Sequence, residues 1–376
     1  MKSEAAGKVF AFMKKEAVLL IAAVCAIASM AAVPPSLDYI GYLDGHVLGL
    51  LFCLMAVVAG FTQLGLFRRL SRVMTQKASG VRMVSGVLVA LCFFSSMFIT
   101  NDVALLTFVP LTISILQQAS PKQVIPVVVL QTIAANLGSM MTPVGNPQNL
   151  FLYAQYEMGL GEFFSAMVPL GLISLVLLAV GVFFLKDHSM TVRFPGEEAP
   201  MCKWRAVLYA VLFVCCLLTV FRVLDVLWLT LLVIVAMLIS NWKILLRVDY
   251  SLLLTFVCFF VFVGNIRQVP AVQEWVSWLL NGREVIASVL VSQVISNVPA
   301  AVMLSSFTEN GRALLLGTNI GGLGTLIASL ASLISFRLYS RMPGAKGGKY
   351  LLQFTLYNLG FLVVLLLFCW VTGSLS

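Results

Sequence analysis

The chain is poor in charge. Only 10% of its 376 residues are Asp, Glu, Lys or Arg, against 61% hydrophobic. A soluble domain cannot be built on that ratio, so the chain reads as an all-α polytopic membrane protein. No polar stretch is long enough to form a soluble domain. Histidine is nearly missing: His46 and His188 are the only two, both near the ends of apolar runs, which excludes a histidine-rich metal centre. The eight cysteines lie mostly within apolar runs at no metal-ligand spacing and read as small buried hydrophobes. There is no G-x-x-x-x-G-K-[ST] loop, which argues against an ATP-driven pump. A zinc motif and a pair of intramembrane aspartates are both lacking, so neither type of intramembrane protease is supported and no enzyme is expected. No arginine lies deep in an apolar run to clamp a dianion. The net charge of +9 would suit a nucleic acid, but the basic residues sit in short loops between apolar runs. They are topology signals, and no nucleic-acid partner is expected.

Against this background, residues 134–150 (A-A-N-L-G-S-M-M-T-P-V-G-N-P-Q-N-L) stand out. Apolar sequence flanks a stretch holding Asn136, Gly138, Thr142, Pro143, Gly145, Asn146, Pro147 and Asn149. The two prolines should break a helix here. Within a bilayer the freed backbone groups need protein, a cavity or an ion to satisfy them. A proline kink sealed by neighbouring helices would do so; an unwound segment that holds a substrate or ion explains the density of polar residues better.

The rest of the chain falls into apolar runs. A basic N-terminus (Lys2, Lys8, Lys14, Lys15) precedes a run at 17–33, read as a retained first span rather than a cleaved signal peptide. A second span covers 47–67. A hairpin at 83–118 is interrupted by Thr100, Asn101 and Asp102, and a broken span follows at 124–153. Another span at 163–185 completes an N-terminal half, residues 1–185. A polar cytoplasmic linker, 186–205, leads to the C-terminal half, 206–376. That half holds spans at 206–221, 226–240 and 252–265, a hairpin at 285–307, a second broken span at 313–338 and a last span at 351–371. The expectation is about nine transmembrane spans plus two re-entrant hairpins. With the N-terminus in the cytoplasm, all of the 24 Lys and Arg except Arg222, Arg267, Arg283 and Arg312 fall on the cytoplasmic side. A cell (inner or plasma) membrane location follows from that reading.

The two interrupted regions read as copies. The block from Ile99 to Ala104 aligns with that from Ile295 to Ala300, pairing Thr100 and Asn101 with Ser296 and Asn297. The block from Asn136 to Gly145 aligns with that from Asn319 to Ala328, which contains Gly321 and Thr325 and is followed by Ser329. By the charge count the hairpins open from opposite faces, so the repeats are inverted. Inverted repeats with paired broken helices suit alternating access and argue against a channel. The asparagines at the tips offer both acceptors and donors. Unwound carbonyls can ligate Na⁺, and helix N-termini favour anions. Asp102 is the only acidic residue deep in an apolar segment. Its bland role is a helix cap; its functional one is to carry a proton.

These blocks, T-N-D-V-A, N-L-G-S-M-M-T-P-V-G-N-P-Q-N, S-N-V-P-A and N-I-G-G-L-G-T-L-I-A-S, resemble the ion transporter superfamily across essentially the whole chain. That superfamily spans divalent-anion/sodium symporters, citrate transporters, arsenite efflux permeases and one class of sodium/proton antiporters. The resemblance implies one Na⁺ site at Thr100, Asn101 and the Gly145 backbone, and another at Ser296, Asn297 and the Ala328 backbone. It also implies a homodimer of elevator-type carriers. Asp102 stands where the symporters carry threonine, giving an Asn-Asp pair closer to the arsenite and sodium/proton branches, and Val298-Pro299 also departs from the symporter pattern. The leading expectation is a secondary active carrier for a small organic or inorganic anion, driven by H⁺ or Na⁺, with no other cofactor. The alternative is a Na⁺/H⁺ antiporter using Asp102, and after it an arsenite-type efflux permease.

Overall fold

A computed structural model describes residues 16–76, 78–190 and 201–375. The basic N-terminal lysines, Lys77 and residues 191–200 of the polar linker lie outside the described residues. The described residues form helices joined by short turns, with no strand among them. Besides one four-residue helix (Tyr39–Tyr42) and two short 3-10 helices (Pro121–Gln123 and Trp242–Arg247, the latter continuing Val226–Asn241), there are seventeen among the described residues. In chain order they are α1 (Ala17–Ser29), α2 (Gly45–Gln63), α3 (Leu66–Thr75), α4 (Val81–Ile99), α5 (Asn101–Ala119), α6 (Val124–Ser139), α7 (Pro147–Gln155), α8 (Leu160–Phe183), α9 (Lys203–Val220), α10 (Val226–Asn241), α11 (Tyr250–Ile266), α12 (Pro270–Leu280), α13 (Glu284–Ile295), α14 (Asn297–Ser305), α15 (Gly311–Gly321), α16 (Leu330–Ser340) and α17 (Gly347–Val371). Seven helices are each long and apolar enough to cross a membrane, or eight if α11 and α12, bent by 104°, count as one. The second apolar run ends earlier than its hydropathy suggests. Gly65 adopts φ 69 and turns the chain into α3, a separate basic amphipathic helix carrying Arg68, Arg69 and Arg72.

Packing divides the helices into two groups. In one, α4, α5, α8, α16 and α17 surround α6, and α13, α14 and α15 pack together beside them. Every residue of α6 is buried, although its neighbours are themselves membrane helices. In the other group α2 packs on α9 and α10, and α11 packs on α1. Contacts between the groups run chiefly through α7 against α2 and α14 against α11. Phe151 of α7 also meets the Phe256 and Phe260 rings of α11. Large apolar side chains cover the outer faces of α9, α10 and α17, as a lipid-facing surface requires.

Each hairpin lies parallel to the broken helix that follows it. Gln131 donates to the Leu88 carbonyl and Thr142 to that of Met97, so α4 and α6 ascend together and the tip at Thr100 reaches the break after Ser139. In the second half, Gly317 meets Ser288 and Gly321 meets Ser292, which brings the tip at Ser296 to the break after Gly321. The arms differ in length: α4 and α5 have 19 residues each, α13 has 12 and α14 has 9.

Candidate site at the first hairpin tip

Thr100 adopts φ 68, ψ 152 and Ser296 adopts φ 78, ψ 154. These nearly equal angles are unusual for residues with a Cβ, and each reverses the chain from one hairpin arm to the next without a loop. Asn146 (φ −153, ψ 158) and Ser329 (φ −143, ψ 134) likewise share extended backbone just before α7 and α16. Pro147 takes the first position of α7, where its missing N–H costs nothing, and the Asn146 side chain caps that helix by accepting from Asn149 N–H at 2.9 Å. Thr142 donates to Met97 O, and its counterpart Thr325 donates to Gln293 O at 3.2 Å. Thr142→Val and Thr325→Val should each cost about 1 kcal/mol. The half-buried Thr142 should lose more than the exposed Thr325, as read from melting temperature in detergent.

The asparagines join the two broken helices. Asn136 Oδ1 accepts from Asn101 Nδ2 and from Ser329 Oγ, each at 3.0 Å, and its amide faces Ser332 Oγ and Gly322 O at 3.4 Å. Its counterpart Asn319 accepts from Asn146 Nδ2 at 3.2 Å and donates to Asn149 Oδ1 at 2.7 Å and Leu315 O at 2.8 Å. Asn149 also donates to the carbonyls of Met140 and Thr142, both at 3.1 Å. Each first half-helix thus ends on the start of the opposite repeat's second half-helix. Gly138 presses on the Phe93 carbonyl, Gly145 on that of Ser139 and Gly321 on Ser292; a Cβ would not fit at any of them.

The two tips differ in what remains open. At the second, Ala328 O accepts from Asn297 N–H at 2.9 Å and Ser296 Oγ at 3.4 Å. Gln293 bonds Gly321 O and Leu323 O, both at 2.9 Å, and Thr325 N–H. Pro299 is buried in the first turn of α14. The first tip instead faces a cavity of about 380 Å³. Thr100, Asp102, Asn146 and Pro147 line it from one packing group, and Thr62, Arg247 and Asp249 from the other, with Leu51, Leu54 and Val58 among its apolar walls. The remaining sequence candidates (Asn136, Asn149, Asn319 and Ser329) serve the buried network, and none of Ser296, Asn297, Thr325 or Ala328 reaches this cavity. Arg247 and Asp249 were not legible as site residues, because they sit in a short basic loop that only tertiary packing brings to the tip. Asp249 before an apolar run was their one signal, and it caps α11 by accepting from Leu252 N–H at 3.0 Å.

Three helices begin at this cavity. Thr100, Asn146 and Asp249 are the N-cap residues of α5, α7 and α11, and all three line it. Two of these N-termini are capped from within, α7 by Asn146 and α11 by the Asp249 carboxylate. Thr100 makes no side-chain cap on α5, so the start of α5 and the fixed charge of Arg247 are what face an anion. Asp102 sits in the first turn of α5, half-buried, with no ion-pair partner among the described residues. No cluster of three or more His, Cys, Asp or Glu suited to a metal ion exists among the described residues. The arrangement can hold a small polar solute between amides, hydroxyls and one guanidinium, beside two carboxylates able to exchange a proton or cation.

Comparison with known proteins places the chain among membrane transporters. An uncharacterized transporter of Methanocaldococcus jannaschii is 34% identical over 270 residues, 70% of this chain and 73% of its own length. The inner membrane protein YbiR of Escherichia coli is 32% identical over 300 residues, 79% of this chain and 80% of its own. A silicon efflux transporter of Oryza sativa subsp. japonica is 32% identical over 135 residues, 35% of this chain and 27% of its own. Among solved structures, the YdaH transporter of Alcanivorax borkumensis matches with a TM-score of 0.62 at 14% identity, covering 90% of this chain and 88% of that one, and shares the fold. Residues 8–310 match the family described as Citrate transporter. The chain is therefore a membrane transporter belonging to the citrate transporter family.

Proposed function

We propose that the protein is a secondary active carrier that moves a small anion across the cell membrane, coupled to H⁺ or Na⁺, by alternating access. The observation that carries this reading is the meeting of the uncapped N-terminus of α5 with Arg247 and the polar side chains of Thr100 and Asn146 at one cavity. The anion rests between Thr100, Asn146 and Arg247, while Asp102 takes up and releases the coupling ion. Division of the packing into two groups, with the cavity on their seam, supports an elevator-type movement of the group holding both hairpins. A homodimer through α2, α9 and α10 and a cytoplasmic N-terminus are part of the same proposal, the latter resting on the distribution of Lys and Arg. Citrate, from the family's description, is the first substrate to test. A silicon oxyacid follows, from the rice relative.

A second reading, a Na⁺/H⁺ antiporter, is favoured by the presence of both Asp102 and Asp249 in the cavity. Flux measurements in proteoliposomes separate the two, with candidate anions added singly under an imposed proton or sodium gradient. Anion uptake that follows either gradient supports the carrier. Sodium-driven proton exchange with no anion present would establish the antiporter and remove the proposal.

A further inference from the structure

A second cavity, of about 280 Å³, lies beyond the first toward the N-terminus of α2. Residues of α2 from Leu51 to Thr62 line the first cavity, and Asp44, His46 and Leu50 line the second, so the two meet at consecutive residues and open toward opposite ends of the helix. Leu150 of α7 lines both, so the two spaces follow one seam between α2 and α7 with a leucine between them. They carry matching charge. The first holds Arg247 with Asp102 and Asp249; the second holds Arg222 with Asp44 and Glu157.

Backbone conformation marks the second cavity independently. Among the described residues, four that are not glycine adopt positive φ: the tips Thr100 and Ser296, then Glu157 (φ 48) and Arg222 (φ 61). The last two both line the second cavity. Each follows a helix end in a Schellman motif. Met158 N–H bonds Tyr153 O and Glu157 N–H bonds Ala154 O after α7; Val223 N–H bonds Leu218 O and Arg222 N–H bonds Thr219 O after α9. Glycine is the residue that such a position favours. The chain does place glycine at the matching position after α2, α12 and α17, with Gly65 at φ 69, Gly282 at φ 68 and Gly373 at φ 68. Only at the cavity does it place a guanidinium and a carboxylate in the left-handed conformation. A residue held at that cost marks a place where the surrounding structure over-determines the backbone. The Arg222 guanidinium lies 5.9 Å from the centroid of the Tyr153 ring, which joins α7 to the turn between α9 and α10.

We propose that this cavity is a second binding site for the transported anion, at the opposite end of the seam from Arg247, with Arg222 as its cationic anchor. The proposal rests on the anion-carrier reading above. Carboxylates in both cavities keep either guanidinium from trapping the anion, so that it is received at one end and released at the other.

Arg222→Gly separates use of the side chain from its backbone role, because glycine relieves the left-handed conformation. Uptake of radiolabelled citrate, or of labelled phosphate if the wild type carries that instead, is measured in oriented proteoliposomes with the anion presented at each face. The expected result is a KM about tenfold higher at the Arg222 face only, partial rescue by Arg222→Lys, and a melting temperature in detergent equal to or above that of wild type. A raised melting temperature with unchanged KM at both faces would overturn the proposal. So would an equal rise in KM at both faces. A wild type that moves no anion would remove the carrier reading and this site together, whereas an active wild type with an indifferent variant removes the site alone.

Discussion

Asp102→Asn should abolish coupling while leaving the protein folded. Asn is nearly isosteric and keeps the polar contacts open to a neutral side chain, but it cannot exchange a proton. The carboxyl group lines the first cavity beside Thr100 and Asn146, lacks an ion-pair partner among the described residues, and sits in the first turn of α5. Under proton coupling, wild-type uptake should fall as pH rises on the side from which the proton is loaded. In the variant, gradient-driven uptake should drop by about 10²-fold, as expected when a positioned proton-transfer group is removed. Whatever flux remains should not respond to pH. Proteoliposome uptake across a pH series reads both. A variant with wild-type rate and pH profile would exclude Asp102 as the coupling group.

Asn319→Ala should be the most destabilising of the polar substitutions. The side chain is 3% exposed and donates to Asn149 Oδ1 and Leu315 O while accepting from Asn146 Nδ2. Alanine leaves Asn149 Oδ1 and one Asn146 amide hydrogen without their partner, while the other Asn146 hydrogen keeps Ser139 Oγ at 3.2 Å. Each unmatched group costs about 1–3 kcal/mol, so a total of about 3 kcal/mol or more is expected. Melting followed by size-exclusion chromatography should show a large drop in midpoint. Asn136→Ala should lose a similar amount, because it ends the equivalent first half-helix and bonds Asn101 and Ser329. A shift in only one of the pair would show that the repeats do not share the load.

The hairpin tips and helix breaks were legible because they oppose their surroundings. Thr100-Asn101-Asp102, Pro143, Pro147 and the asparagines are polar or helix-breaking residues inside apolar runs, and local chemistry sets where a helix stops. Span ends were less legible. Hydropathy carried the second run past Gln63 because α3 begins with Leu66 and Phe67, and Gly65 was the signal that could have corrected it. The partition of the candidate residues between a cavity and a buried network could not be read from spacing. Asn146 lines the cavity while Asn149, three residues on, faces α15; that difference depends on how the broken helices cross. Arg247, Asp249, Glu157 and Arg222 escaped because a charged residue in a short loop looks like a topology signal until packing brings it to a cavity.

The crossing of the two broken helices also bears on how the chain is made. Asn136, Asn146 and Asn149 leave the ribosome well before Asn319, Ser329 and Ser332, the groups that complete their hydrogen bonding. For that interval a nascent first half carries incompletely bonded amides at membrane depth, where lipid offers no substitute. Water at the lateral exit of the insertion machinery, or a second half supplied in trans, is the available remedy. Expression of residues 1–190 alone should therefore yield a species marked for degradation, and co-expression with the second half should restore it.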